Sequence, residues 1–338
     1  MVDRDLRIAV IGAGLMGGDH VARITHRITG ARVAAIVEPD EARAKAAAAN
    51  APGAVLRPDI RAALEHDDLD AVLIATPGRL HEPVVLPALE AGVAIFCEKP
   101  LTPDSESALR ILEAEQKQDR PRIQVGFMRR FDAEYVALRQ LIASGEAGAL
   151  MVMHCAHRNP SSPRGFTDAM LITDSVVHEL DVVPWLAGER IVAVETRKPR
   201  RNSLAPAGLH DPQLVFIELE SGVIATVEIN VSAQFGYQVT TEAVFEHGVA
   251  AIGRTAGLKL WRDGRWGGAE HMTFKTRFGA AFDAQIQHWV DAVHRGTIGG
   301  ASAWDGYLAA AACEAGVAAQ KTGRRVEVRT VARPSFYA

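Results

Sequence analysis

The sequence predicts an α/β protein with two parts: an N-terminal doubly wound parallel sheet, then a C-terminal α+β domain with a largely antiparallel open sheet. Three observations carry this reading. Short apolar runs alternate with longer helical patterns over the first 125 or so residues, which implies βαβ units. A glycine-rich turn, Gly12-Ala13-Gly14-Leu15-Met16-Gly17, comes directly after the first apolar run and opens the first helical pattern. Beyond about residue 126, β-rich runs are joined by two-residue turns of X-Gly type, the chemistry of hairpins.

In chain order, the strand-like runs of the first part are Leu6 to Ile11, Val33 to Val37, Ala71 to Ala75, Val93 to Cys97 and Ile123 to Val125. Between them His20 to Thr29, Glu41 to Asn50, Ile60 to Glu65, Glu82 to Ala91 and Ser105 to Gln118 read as helices. The second of these is Ala-rich, and Ala is the strongest helix former. In the second part Met151 to His157 is strand-like, a Pro/Ser/Gly-rich loop comes next, and Asp174 to Leu186 reads as a helix. Strand candidates Gln213 to Glu220, Val223 to Val231, Tyr237 to Glu246 and Leu258 to Arg262 are punctuated by Ser221-Gly222, His247-Gly248 and Asp263-Gly264. Phe282 to His294 and Trp304 to Lys321 read as closing helices. The expected domains are residues 1–125 and 126–338, with the boundary near Gln124 to Arg129.

Composition narrows the function classes. At 338 residues the chain is long enough for two domains with a core each, and 48% hydrophobic with 23% charged residues is ordinary for a globular protein. A formal charge of −4 lacks the footprint of a nucleic-acid binder. No apolar run reaches the length of a membrane span, and Gly12 and Gly14 break the N-terminal apolar stretch, so neither membrane nor signal peptide is expected and the address is cytoplasmic. The three cysteines, Cys97, Cys155 and Cys313, are too scattered for a disulfide framework or a cysteine zinc site.

The glycine turn has the G-x-G-x-x-G form. Gly12 permits the tight turn, Gly14 lets backbone approach a pyrophosphate, and Gly17 lets helix and strand pack closely, while the free N–H groups of the helix start, around Leu15 and Met16, face the phosphates. Glu38 ends the second strand, 21 residues beyond Gly17, where a carboxylate accepts hydrogen bonds from the adenosine ribose. A carboxylate there repels a 2′-phosphate, and Pro39 rather than Arg comes after it, which favours NAD over NADP; Arg43 is the one nearby cation that works against that preference.

Ligands of such sheets lie at the carboxyl ends of the strands. Two motifs fall there: Ala75-Thr76-Pro77 with His81 just beyond, and Glu98-Lys99-Pro100-Leu101. Together with the glycine turn they resemble the Gfo/Idh/MocA family of nicotinamide-dependent sugar and polyol oxidoreductases. The resemblance implies a Rossmann domain holding NAD through Gly12, Gly14, Leu15, Met16, Gly17, Glu38, Thr76, Pro77, His81, Glu98 and Lys99. It also implies that Lys99 reaches the reacting hydroxyl, before a proline peptide that is often cis.

Further segments are similar to the inositol-oxidising branch of that family: Gly126 to Asp132, His157-Arg158-Asn159-Pro160, Asp174 to Asp181, and Trp304-Asp305-Gly306-Tyr307. By that likeness Lys99, Asp174 and His178 are catalytic. Met128, Arg129, His157, Asn159, Asp174, His178 and Tyr237 line the substrate pocket.

The residues themselves support part of this. Asp174 and His178 are four apart and share a helix face, with Asp181 on the same stripe, while Val177, Leu180 and Val183 face a core. Histidine suits proton acceptance near neutral pH, a carboxylate orients its ring, and an ammonium stabilises a developing alkoxide. His178 is therefore the expected base, with Lys99 the alternative. A metal is not expected, because His154 and His157 point to opposite faces of a regular strand.

The function expected is NAD-dependent oxidation of a ring hydroxyl of myo-inositol or a related cyclic polyol to the ketone. Rival readings are a pyranose dehydrogenase or reductase, an NAD-recycling glycosidase or lyase, and a nucleotide-sensing binding protein. The intact Lys99, Asp174 and His178 set weighs against the last. A sheet left open on one side is an association surface, and because members of the family it resembles are commonly dimers or tetramers, the resemblance implies a homotetramer.

Overall fold

A computed structural model describes residues 4–254 and 256–338. The chain forms two compact units, Met1–Met128 with Phe282–Ala310 and Val331–Ala338, and Arg129–Ala281 with Ala311–Thr330.

In the first unit, strands β1 (Leu6–Ile11), β2 (Ala31–Val37), β3 (Val55–Arg57), β4 (Ala71–Ile74), β5 (Ala94–Cys97) and β6 (Ile123–Val125) alternate with helices α1 (Leu15–His26), α2 (Glu41–Ala49), α3 (Ile60–His66), α4 (Glu82–Glu90) and α5 (Ser105–Glu115). Among the described residues these six strands are parallel, in the order β6-β5-β4-β1-β2-β3. The order reverses beside β1, and the crevice at such a reversal is where ligands bind. Strands covered on both faces read as continuous apolar runs, and β1 and β4 are buried almost throughout. Asp40, Asp59 and Asp104 cap α2, α3 and α5 by accepting a backbone N–H, which locates those helix starts.

The second unit opens with α6 (Ala133–Ser144) and β7 (Leu150–Arg158). A short helical turn α7 (Asp168–Met170), a π-helical turn (Leu171–Val176), α8 (Val177–Ala187) and β8 (Ile191–Arg197) come next. Then come β9 (Gln213–Leu219), β10 (Ile224–Asn230), β11 (Gln238–Phe245) and β12 (Gly248–Ile252), and the separate hairpin β13 (Ala256–Arg262) with β14 (Arg265–Ala269). The long helix α9 (Phe274–His294), the short β15 (Ala301–Ser302), α10 (Ala303–Thr322) and the short β16 (Val326–Glu327) complete the chain. β15 joins the first sheet, antiparallel to β6.

The second sheet runs β12-β11-β7-β10-β9-β8-β16. The expected hairpins are present, with two turns placed differently from the X-Gly pairs: β9 and β10 pair across residues 220–223, β11 and β12 across Glu246 and His247 with Gly248 opening β12, and β13 and β14 across Asp263-Gly264, both at positive φ. The sheet is antiparallel except where β7 and β10 lie parallel. Burial along β9 and β11 alternates strictly, the signature of a sheet covered on one face only.

The expected division at residue 125 runs the chain once from one domain to the next, whereas the compact units return residues 282–310 and 331–338 to the first. The physical reason is apolar: Ile286, Trp289 and Val290 form one stripe of α9 and are fully buried in the core built on Ile8, Val10, Val21, Leu73 and Phe96. The chain end is held there as well, where Tyr337 donates its hydroxyl to the buried Glu115 carboxylate at 2.6 Å. No helix among the described residues is long and apolar enough to cross a membrane.

Candidate functional site

The glycine turn connects β1 to α1. Gly12 has φ +89°, and a Cβ there would press on the Ala75 carbonyl at 2.9 Å. A Cβ on Gly17 would lie 1.8 Å from the Gly12 oxygen, which no shift of a side chain relieves. Over Gly14 there is open space, so a Cβ there would meet nothing of the described chain, in contrast to Gly12 and Gly17. Gly14 is also the N-cap of α1, without a side-chain cap and with no acid in the first turn, which leaves the helix N–H groups to an anion. The Thr76 hydroxyl is buried and has no hydrogen-bond partner among the described residues. These features fit a dinucleotide pyrophosphate.

Glu38 stands just past the end of β2. One carboxylate oxygen accepts the Ala13 N–H at 2.8 Å, and the other accepts the Asp40 N–H at 3.0 Å and the Arg43 guanidinium at 2.8 Å. Burial pushes the Glu38 carboxyl up, but Arg43 and the two amides outweigh it and hold the group below its usual range. Arg43 is thus committed to Glu38. Glu38→Ser is expected to free Arg43 for a 2′-phosphate and to shift the NADP-to-NAD ratio of kcat/KM upward about 10- to 100-fold, the worth of one charged hydrogen bond. An unchanged ratio in steady-state assays would refute the assignment.

The next two strand ends are tied together. The Lys99-Pro100 peptide is cis, and Gly78, in the short turn after β4, packs so closely on the Pro100 ring that a Cβ would come within 3.3 Å of it. His81 is fully buried, with Nδ1 2.8 Å from the Pro100 carbonyl and Nε2 2.8 Å from the Thr76 carbonyl. Burial lowers its pKa against the pull of those carbonyls. Expected beside the cofactor, His81 instead clasps the two loops from within. Glu98 is likewise occupied inside the fold: Oε1 lies 2.7 Å from His20 Nε2 on α1, and Oε2 accepts the Lys99 N–H at 3.2 Å. Lys99 and Thr76 are half-buried, while Pro77 and Leu15 are exposed at the strand and helix ends. Met16 is half-buried and Met128 buried.

In the second unit Asp174 lies in the π-helical turn and His178 in the first turn of α8. π turns occur mostly as single insertions and frequently at functional sites. Val177, Leu180 and Val183 are buried, as their spacing predicts. Asp181 departs from the expected polar stripe. Its carboxylate is 1% exposed and receives both the Nε and Nη2 donors of Arg130, at 3.1 and 2.5 Å, so it is an internal ion pair.

Arg129, expected to face substrate, is 1% exposed and paired with the equally buried Glu179. His157 Nδ1 lies 3.2 Å from Glu179 Oε2 and 3.2 Å from Arg129 Nη2. The His157 ring has the His178 ring on one side and the Tyr237 ring on another, each centroid 6.2 Å away. Tyr237 is buried, and burial raises its phenol pKa well above the usual value. The buried side-chain oxygen of Asn159 has no partner among the described residues. Arg129, His157, His178, Glu179 and Tyr237 thus form one buried polar cluster, of which only Glu179 has no place among the residues expected from sequence. No local signal marks Glu179, because its partners Arg129 and His157 lie 50 and 22 residues away along the chain.

Burial alone would raise the Glu179 carboxyl, but Arg129 and His157 hold it down at about 2. Because the folded value lies below the ordinary 4.5, the stabilisation is complete above that pH and disappears as pH falls toward 2. Between pH 6 and pH 3 this group alone is expected to remove roughly 2 kcal/mol of stability. Urea midpoints across that range should show the loss, and Glu179→Gln should lack that component of the slope.

β7 turns His154 outward and His157 inward, as its alternation requires. Among the described residues no group of three or more His, Cys, Asp or Glu side chains is placed to hold a metal ion, and Cys97, Cys155 and Cys313 are buried and form no disulfide with one another.

The chain is similar to known proteins along its whole length. Residues 6–127 match the family model described as the oxidoreductase family with NAD-binding Rossmann fold, and residues 135–251 match the Gfo/Idh/MocA C-terminal domain. An inositol 2-dehydrogenase of Corynebacterium glutamicum (strain R) is 59% identical over 338 residues, covering 100% of both chains. One from Leifsonia xyli subsp. xyli is 58% identical over 335 residues, covering 99% of this chain and 98% of its own. The crystal structure of myo-inositol dehydrogenase from Lactobacillus casei in complex with NAD(H) and myo-inositol superimposes with a TM-score of 0.95 at 35% identity, covering 99% of this chain and 100% of that one. With both halves matched and relatives more than half identical from end to end, the chain belongs to the Gfo/Idh/MocA family of oxidoreductases.

Proposed function

We propose that this protein is an NAD-dependent dehydrogenase that oxidises a ring hydroxyl of myo-inositol or a closely related cyclic polyol to the ketone. The observation that carries the reading is the 59% identity, over the full length, to a protein named inositol 2-dehydrogenase. The uncapped start of α1, the open face over Gly14 and the Glu38 carboxylate suit the dinucleotide. Bound nicotinamide supplies the hydride acceptor at its C4. The chain supplies the rest: Lys99 polarises the reacting oxygen, His178 takes its proton, and Asp174 orients the imidazole and stabilises the imidazolium. His157, Asn159 and Tyr237 hold the other ring hydroxyls, each of which adds discrimination against an analogue that lacks it.

NADH absorbance in a panel of myo-, scyllo- and D-chiro-inositol, glucose and xylose, each with NAD and with NADP, tests this directly. Reduction of NAD with an inositol and not with the aldoses is the expected result. Preference for glucose or xylose would establish the pyranose alternative. Tightly retained NAD with no NADH released by any of the five would favour the elimination class.

The same reading makes the protein a cytoplasmic homotetramer. The second sheet leaves one face uncovered, with Leu214, Phe216 and Val244 half-exposed and Ile224 exposed on it. Sedimentation at the 36.4 kDa of a single chain would refute the tetramer.

A further inference from the structure

The buried cluster of the second unit contains one carboxylate, Glu179, and it has no role in the proposed chemistry. It stands next to His178 on α8 and is 1% exposed. One carboxylate oxygen takes Arg129 Nη1, and the other has His157 Nδ1 at 3.2 Å. The His157 nitrogen therefore stands between an obligatory acceptor, the carboxylate, and an obligatory donor, Arg129 Nη2, at equal distance. A neutral imidazole satisfies one of them only, and the choice sets which ring nitrogen carries the proton.

Two observations decide between them. Arg129 already leaves its buried Nε without a hydrogen-bond partner among the described residues, so this guanidinium tolerates an unused donor. Against burial, Arg129 holds the Glu179 carboxyl below its ordinary range and so favours the ionised form, and an ionised buried oxygen facing a nitrogen lone pair carries the larger penalty. The proton accordingly belongs on Nδ1.

We infer that Glu179 is a positioning residue: it accepts the Nδ1 proton of His157 and so holds the neutral ring with Nε2 as a hydrogen-bond acceptor, the form that receives a substrate hydroxyl. The ring itself is steadied by Tyr237, edge-on at 6.2 Å, and Arg129 by the Phe278 ring at 5.8 Å. The functional part of this inference rests on the polyol dehydrogenase reading; the placement of the proton does not.

The test separates the two. Nitrogen NMR of histidine-labelled protein without substrate, with His157 assigned by the His157→Gln variant, reads the tautomer in the wild type. The expected state near neutral pH is neutral with the proton on Nδ1. A proton on Nε2, or a doubly protonated ring, would overturn the inference whatever the enzyme oxidises. In Glu179→Gln the proton should move to Nε2, because the Gln amide and Arg129 can then both donate to Nδ1. Inositol turnover, as kcat/KM, should fall at least tenfold while NAD affinity by fluorescence stays unchanged. If that variant does not fold, Arg129→Gln/Glu179→Gln removes both buried charges together, and the same proton shift is expected. An Nδ1 proton retained in the folded variant would show that Glu179 does not set it. The expected tautomers without inositol oxidation in the wild type would leave the positioning role standing and refute the substrate assignment.

Discussion

Replacing His178 with alanine is expected to lower inositol turnover at neutral pH by about 10²–10⁴, the usual worth of a positioned general base. A secondary alcohol scarcely ionises in water near neutrality, so hydride cannot leave its carbon readily until the hydroxyl proton has somewhere to go. An imidazole supplies that acceptor at the pH where it is itself largely neutral. Because this interaction develops in the transition state, kcat and kcat/KM should fall together with KM nearly unchanged. The residual rate should climb with pH as solvent takes over proton removal, and added imidazole should restore part of it by entering the space the ring vacates. Near wild-type turnover in His178→Ala would end the base assignment. If Lys99→Met then abolished the alkaline limb of the rate profile, the base would be Lys99.

Lys99→Met is expected to cost about 10²–10³ in kcat, the range for removing one group that stabilises a developing oxyanion. Methionine keeps the length and apolar stem of the side chain, so the loop clasped by His81 and Gly78 should survive, and urea midpoints should shift little. Lys99→Arg should recover only a small part of the rate although it keeps the charge, because a planar fork does not replace a compact ammonium. The lysine is attached to a braced strand end: Pro100 on one side is gripped by His81 and Gly78, and Glu98 on the other is gripped by His20. NAD affinity measured by fluorescence should therefore remain within a few-fold of wild type, and a large loss there would move Lys99 from the chemistry to the cofactor.

Much of the first unit is legible in the sequence. The strands Leu6 to Ile11 and Ile123 to Val125 have the boundaries the sequence predicts, since a strand buried on both faces is apolar apart from an occasional polar residue such as Arg7 or Gln124, and Gly12 and Gly126 mark where each ends. The second unit is less legible. Ala133 to Ser144 and Ile191 to Arg197 form α6 and β8 although the pattern predicts neither, because each mixes apolar and charged residues without a sharp period and is decided by what it packs against. Gly222, Gly248 and Gly264 announce the hairpins, but nothing local announces the insertion of β7 between β11 and β10, which is a long-range pairing without turn chemistry. The helix expected to begin at Phe282 in fact starts at Phe274, since Arg277 is drawn into ion pairs with Asp132 and Glu134 from far upstream.

Local chemistry is what a sequence states by itself. It is enough for the glycine turn, the carboxylate just past β2 and the strand-end lysine, because each depends on spacing over a few residues and on backbone that only glycine or a strand terminus provides. It is also enough to put Asp174 and His178 on one stretch of helix. Which charges are spent inside the fold is a different kind of fact. Asp181 has the spacing of a site residue and is consumed by Arg130, while Glu179 has no spacing signal and holds Arg129 and His157. Only tertiary structure could decide these, because the cost of burying a charge is offset by partners that arrive from distant parts of the chain, and no periodicity records who those partners are.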